Sequence, residues 1–267
     1  MIYAKVIADS ITGTGKRLTT MEVQMHRFVL AEFNTHRVFS RNSASSRAIP
    51  IAKQIDKVLK DPAFPVEWGS NQSGMQAGEM LDKKSSRKAK RAWKSASKSA
   101  SKYAKKLEEI GVHKQITNRI IEPFMWHTVI VSSTEWDGFF EQRCNGLAQP
   151  EIRRAALAMR DAYRNSVPDF IVTGEMHLPY LQPEEYYLDN NLKAKLCIAR
   201  CARVSYLTHN NIKSIQKDLD LFNKLVSADP PHWSPMEHVA TPYAPDLSSE
   251  GNFDGFAQVR HNLHLVF

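Results

Sequence analysis

The sequence predicts a fold that mixes α and β structure and lacks a dinucleotide-binding unit. Three observations point there. From Leu18 to Met25 apolar Met21, Val23 and Met25 alternate with polar Thr20, Glu22 and Gln24, the period of a half-buried strand. Two long stretches, Lys83 to Glu109 and Pro150 to Asn165, instead repeat apolar residues at helical spacing. No G-x-G-x-x-G, P-loop or G-x-S-x-G motif occurs, so the usual signatures of nicotinamide dinucleotide folds, NTPases and serine hydrolases are missing.

The elements follow in order. "HRFVLAEFNTHR" turns helical through Phe28, Leu30 and Phe33. A polar, serine-rich stretch comes next, and Pro50 disfavours helix at Ile49, so a loop is expected there. Asp61 to Met80, rich in Pro, Gly, Ser and Asn, reads as a long loop, a kind often functional. In the basic helix Lys83 to Glu109, Trp93, Ala96, Ala100, Tyr103, Ala104 and Leu107 mark one face and the lysines and serines largely the other. "NRIIEPFMWHTVIVSS" ends in a short buried strand, and Thr134 is expected to cap a helix through "EWDGFFEQRC". Pro150 opens the next helix, whose buried face is Ile152, Ala156, Met159 and Tyr163. Residues 166–191 show little periodicity and read as a wrapping linker between a 1–165 block and a 192–267 block that completes the same domain. In the second block "LKAKLCIARCARVSY" reads as a helix. "IQKDLDLFNKLVS" reads as another, with Ile215, Leu219, Phe222 and Val226 on one side, and "HWSPMEHVATPY" leads into a strand.

Bulk properties narrow the class. With 267 residues and 42% hydrophobic content, the chain can bury one large core or two small ones. Three cysteines, two of them four apart, make no disulfide framework and fit a reducing, cytoplasmic compartment. No apolar run reaches membrane-span length. The net charge of +8 and pI near 9.3 call for an anionic partner. Phosphorylated small molecules are one class. Nucleic acid is less favoured, because no helix-turn-helix, zinc-finger or aromatic RNA-binding motif accompanies the charge, and a solvated helix face is the ordinary reading of the basic stretch.

The densest chemistry lies in "NTHRVFSRNSASSRAIP", Asn34 to Pro50, with three arginines, a histidine and four serines in seventeen residues. Arginine forks and serine hydroxyls of this kind can cradle a phosphate; equally, such a loop can be tied to itself by its Ser and Asn side chains. "HWSPMEH" offers His232, Glu237 and His238, but its spacing is not that of a zinc-protease helix, and Pro235 argues against that helix, so no metal is assigned. A polar cofactor contact at strand entry or a purely structural role both fit it. Arg143, Arg153 and Arg154 can be surface charges. Arg119, beside an apolar run, needs an anion. Cys144 has no identifiable base.

Together these pieces resemble the flavin-dependent thymidylate synthases. The family signature R-H-R-x-x-S-x-N-E-x-S-x-R-Y is matched here at His36, Arg37, Ser40, Asn42, Ser45 and Arg47. "GVHKQITNRIIEP" aligns Arg119, and "FFEQRCNGLAQPEIR" aligns Arg143, Ala148, Gln149, Glu151 and Ile152, with the family's downstream motifs. "CARVSY" and "HWSPMEH" are similar to two motifs that precede the signature in the family but follow it here, so the motif order looks circularly permuted. Thr35, Ser43 and Ala48 depart from the signature's arginine, glutamate and tyrosine, and the family's Asn-x-Arg has no clear match at Ser132 and Thr134.

The resemblance implies an α+β fold, a mixed sheet packed with long helices, and the synthesis of dTMP from dUMP. Methylene-tetrahydrofolate would donate the carbon and NADPH would reduce FAD, in a homotetramer with shared active sites. It implies FAD contacts from His36, Arg37, Val38, Ser205, Ser234 and Glu237, with His232 near flavin and folate. Ser43, Ser45, Ser46, Arg47, Arg119 and Arg143 would hold dUMP, Arg47 and Arg143 stabilising charge on the uracil carbonyls. Gln258 and Arg260, in "FAQVRHNL", resemble a family glutamine and arginine and would replace missing contacts. The altered signature also admits a related product, such as a hydroxymethylated base, or a non-catalytic binder of nucleotides or nucleic acid.

Overall fold

The computed structural model describes residues 1–209 and 214–267. The strands are β1 (Tyr3–Ile11), β2 (Arg17–His26), β3 (Ser40–Ser43), β4 (Trp126–Ser133), β5 (Asp169–Phe170), β6 (Ala240–Pro242) and β7 (Phe256–Gln258). The helices are α1 (Leu30–Asn34), α2 (Ile51–Lys60), α3 (Lys83–Glu109), α4 (Lys114–Thr117), α5 (Asp137–Arg143), α6 (Pro150–Asn165), α7 (Asn190–Arg203) and α8 (Ile215–Val226). The first five strands form one mixed sheet in the order β3-β4-β2-β1-β5; among the described residues only its β1–β5 pair is parallel. β6 and β7 form a separate antiparallel pair.

β2 shows why the sheet sits centrally. Its apolar set, Met21, Val23 and Met25, joins Val129 and Val131 of β4 against Phe33, Phe39, Trp136, Phe139, Ile152 and Met159. The alternation predicts a wet opposite face. Instead Thr20 and Glu22 are buried, because the C-terminal half covers that side. The polar residues there bond mainly to one another, although among the described residues His238 Nε2 and His209 Nδ1 have no partner. His177 joins the Ser10 hydroxyl through Nδ1 (2.9 Å) and the Thr20 hydroxyl through Nε2 (2.7 Å). Thr20 reaches Ser132 (2.6 Å), and Ser132 reaches His238 Nδ1 (2.8 Å). Beside them Glu22 accepts from the hydroxyls of Tyr3 and Tyr180, each at 2.6 Å, and pairs with His209. Burial pushes the Glu22 carboxyl upward, but His209, Tyr180 and Tyr3 together hold it at about 2.

α3 begins where the sequence places it, capped by Asp82, whose carboxylate accepts from Ser85 N at 2.8 Å. It lies on α2 through small residues, Ser97, Ser101 and Ala104, and is pinned by Trp93, whose indole N–H donates to Ala63 O at 2.9 Å. α2 itself is not expected from the sequence, although Ile51, Gln54 and Val58 bury at helical spacing directly after Pro50. Two expectations are corrected. Trp136, not Thr134, precedes α5, and the Thr134 hydroxyl instead accepts from Asp254 N at 2.9 Å. In α8, Phe222 is buried but Ile215 is exposed. The buried charge there is Asp218, drawn inward by Arg200 and Arg203. Arg200 is 1% exposed, pairs with Asp218 (2.9 Å) and Glu185, and donates to Tyr180 O at 3.0 Å.

Two predictions follow from these buried polar groups. Arg200→Ala strands Glu185 without its buried counter-ion and leaves Asp218 to Arg203 alone, and should cost about 3–5 kcal/mol in urea denaturation; a loss under about 1 kcal/mol contradicts the network. Burial holds His177 and His238 down at about 3, so both stay neutral in the folded protein while an unfolded histidine takes a proton near 6.5. Their contribution is intact above pH 6.5 and is lost as pH falls from there toward 3. The slope is about 1.4 kcal/mol per pH unit for each histidine. Thermal melts should drop steadily from pH 6.5 to 4.5, and a flat profile contradicts this assignment.

Candidate functional site

β3 is the edge of the main sheet, and its polar sequence, Ser-Arg-Asn-Ser, does not read as a strand. It forms one because both sides are occupied. β4 pairs with it in register, Ser40 opposite Ser132 and Asn42 opposite Ile130. The C-terminal half covers the rest, including the 3-10 turn Ser234–His238. Gln258 is the main fastener. Its amide nitrogen donates to Ser40 Oγ (3.0 Å) and to Glu237 O (2.8 Å), and its amide oxygen accepts from Asn252 N (3.3 Å). Gly251, at φ +115°, makes room: a Cβ there would stand 2.0 Å from Gln258 Oε1. Asn42 donates to Cys201 O at 2.6 Å, the Ser205 hydroxyl reaches Asn42 Oδ1 at 3.5 Å, and Ser45 N donates to Ser205 O at 3.0 Å. The late motif residues therefore meet the early Arg–Ser segment in space.

At the N-terminal end of that segment, His36 Nε2 accepts from Arg143 Nε at 2.9 Å, and Arg143 also donates to Thr35 Oγ1 at 3.2 Å. Burial, then the charges of Arg143 and Arg41, lowers His36 to about 4, which keeps its lone pair free to accept. Arg41 closes the end of α1, donating to the carbonyls of Asn34 (3.3 Å) and His36 (3.1 Å). Arg37 and Val38 are exposed and line an open cleft with Gly251, Asn252, Phe253 and Asp254. Glu237, half-buried nearby in sequence to exposed Ser234, is ion-paired with Arg260. His232 is exposed, and its backbone N–H donates to Leu225 O at 3.0 Å.

At the other end, three donors converge on one carboxylate oxygen. Glu122 Oε1 accepts from the Ser46 hydroxyl, from Arg119 Nη1 (2.8 Å) and from Arg27 Nη2 (3.1 Å). Glu122 is thus the anion that Arg119 requires. Asn118 fixes the loop above by donating to Ser46 O (2.6 Å) and Ile49 O (3.0 Å). Beside this cluster lies a cavity of about 380 Å³, lined by Ser46, Arg27, Lys57, His127, Tyr3 and His209 among others. Burial, then Arg27, keeps His127 neutral with a pKa of about 3. Burial, then Lys53, also lowers the Lys57 ammonium. Arg47 is exposed, with its backbone N–H on Ser45 Oγ at 3.2 Å, and Ser43 is half-buried.

The candidate residues therefore divide. His36, Arg37, Val38 and Arg143 sit at one end of the signature segment, and Ser45, Ser46, Arg47 and Arg119 at the other. Ser205, Glu237, Gln258 and Arg260 flank it. Arg27, Lys57 and Glu122 are not singled out by the sequence. Glu122 had a signal, standing three residues after Arg119, and Arg27, directly before Phe28-Val29-Leu30, had the same one as Arg119.

Comparison with known proteins now bears on this arrangement. No curated protein sequence matches the chain. The crystal structure of a UMP/dUMP methylase, PolB from Streptomyces cacaoi bound with 5-Br dUMP, is similar over 61% of this chain and 90% of that one, with 12% identity and a TM-score of 0.47. The family profile described as thymidylate synthase complementing protein matches residues 18–169, more than half of the 267 residues and all of the Arg–Ser segment. The chain belongs to the thymidylate synthase complementing protein family.

Proposed function

We propose that this protein makes dTMP from dUMP, taking its one-carbon unit from methylene-tetrahydrofolate and using FAD reduced by NADPH. One observation carries the reading: the Arg–Ser segment separates two sites, a cavity lined by Arg27 and Lys57 at one end and an open cleft bearing Arg37 at the other. The first suits the nucleotide. Ser46, Arg119 and Arg27 already present converging donors to a carboxylate oxygen, the geometry a phosphate oxygen also accepts. Arg47 stands free in the same loop to meet the base or phosphate.

The second site suits the flavin. Arg37 is exposed, and among the described residues it has no carboxylate partner, as a pyrophosphate contact requires. His36 would present a neutral ring, held in orientation by Arg143. Val38, Ser205, Ser234, Glu237 and Arg260 would complete the walls, with His232 at the folate side and Gln258 as a positioning residue. Bound there, FAD would supply the reducing equivalent that turns the transferred carbon into a methyl group. The protein's part is to orient the nucleotide and to place arginine charge near the uracil carbonyls, where negative charge develops. Cys197 and Cys201 are buried, and burial raises both thiols, so neither suits a thiolate nucleophile. We take the working unit to be the homotetramer with shared active sites that the family resemblance implies, in the cytoplasm.

The purified protein should be yellow, and NADPH should bleach it under anaerobic conditions; a colourless protein that binds no FAD overturns the reading. Mass spectrometry of the nucleotide after turnover should show dTMP, and a hydroxymethylated product would overturn the assigned reaction. By calorimetry, Arg119→Ala should weaken dUMP binding roughly 10- to 100-fold, a charged hydrogen bond's worth. Glu122→Gln should strengthen it several-fold by releasing the donors. If Glu122→Gln weakens binding as much as Arg119→Ala, the nucleotide does not use this cluster.

A further inference from the structure

The positive charge of this protein is not where its candidate nucleotide site is. α3 carries eleven lysines and arginines against only Glu108 and Glu109, a net +9, while the whole chain is +8. The remainder of the molecule, including every arginine discussed above, is therefore close to neutral. All eleven cations are exposed. At 100° per residue they fall within roughly 160° of the helix circumference and run for about 35 Å, from Lys83 to Lys106. Among the described residues none of them has a carboxylate in salt-bridge range; the ion pairs of the molecule lie elsewhere.

The opposite face is spent on the protein. Ser97, Ala100, Ser101 and Ala104 pack on α2 and on the 3-10 segment Asn118–Phe124, and Trp93 wedges between Phe124 (5.0 Å), Phe28 (6.2 Å) and Trp68 (6.3 Å). The cations are thus displayed on a rigid support. Ser95 stands among them and Ser99 at their edge, small side chains that let a bulky partner approach.

We propose that the exposed face of α3 binds double-stranded nucleic acid through its phosphates, without reading sequence. The chemistry selects this occupant. A duplex offers a long, uniform line of negative charge, which this face complements over its whole length. A membrane-lying helix needs a broad apolar face, but here that face is already buried and the exposed one has only Tyr103 as a large apolar group. A protein partner would want buried anchors at the centre of the contact, and none is presented. With a single exposed aromatic there is no stacking platform for separated bases. This surface is independent of the nucleotide and flavin assignments.

The test is fluorescence anisotropy with a labelled duplex of about 20 base pairs and arbitrary sequence, titrated between about 50 and 200 mM salt. With four to six phosphates engaged, log K against log salt should have a slope of about −4 to −5. Replacing Lys94, Lys98 and Lys102 by Gln should flatten that slope by roughly 3 units. Replacing exposed Lys5, Lys53 and Lys224 by Gln, the same change in net charge, should leave it unchanged. Circular dichroism of both triple variants checks the fold. The proposal is overturned if the duplex does not bind at the lowest salt, or if the two triple variants behave alike. Equal binding of polyglutamate or of phosphatidylserine vesicles also overturns it.

Discussion

The structure depends on a hydrogen-bonded layer pressed dry between the main sheet and the C-terminal half. His177 is its keystone. It links Ser10 of β1 to Thr20 of β2, and through Ser132 of β4 the chain of contacts reaches His238. Apolar side chains would glue these layers in many registers. A run of hydroxyls and imidazoles is satisfied only in one, because each misplaced donor would be left without a partner away from water. That single register sets where the 3-10 turn Ser234–His238 falls against β3, and hence where Glu237, Arg260 and Gln258 stand relative to the Arg–Ser segment.

The same layer joins parts of the chain that lie far apart in sequence. β3 would be an exposed, polar edge strand if the chain stopped after α6. Residues that arrive more than two hundred positions later, Gln258 above all, complete it. The strand is covered only because the late segment returns to this edge. The Arg200–Glu185–Asp218 cluster helps it return, by holding α7, α8 and the segment around Tyr180 as one body.

Much of the architecture is legible in the sequence, and what is not has identifiable causes. β2, α3 and α6 announce themselves because one face is apolar at the right period. β3 is invisible because its strand conformation comes from its neighbours and not from its residues. α2 hides behind Pro50, which reads as a stop although it stands at the helix entrance. Ile215 misleads because buried Asp218 turns α8 toward Arg200, and a buried ion pair breaks the rule that charge faces water. For the site, short motifs identified most of the side chains that gather around β3. Arg27, Lys57 and Glu122 escaped because their roles depend on which strand and helix lie beside the Arg–Ser loop, and spacing along the chain does not encode that.

The threefold grip on Glu122 has a bearing on selectivity. A cluster of bare cations would retain whatever anion the cell offers most abundantly, inorganic phosphate included. Here the resting protein supplies its own tethered counter-ion, already in place on all three donors. On the proposed reading, only a guest that brings further contacts of its own, such as a sugar and a base reaching into the neighbouring cavity, has the means to displace it.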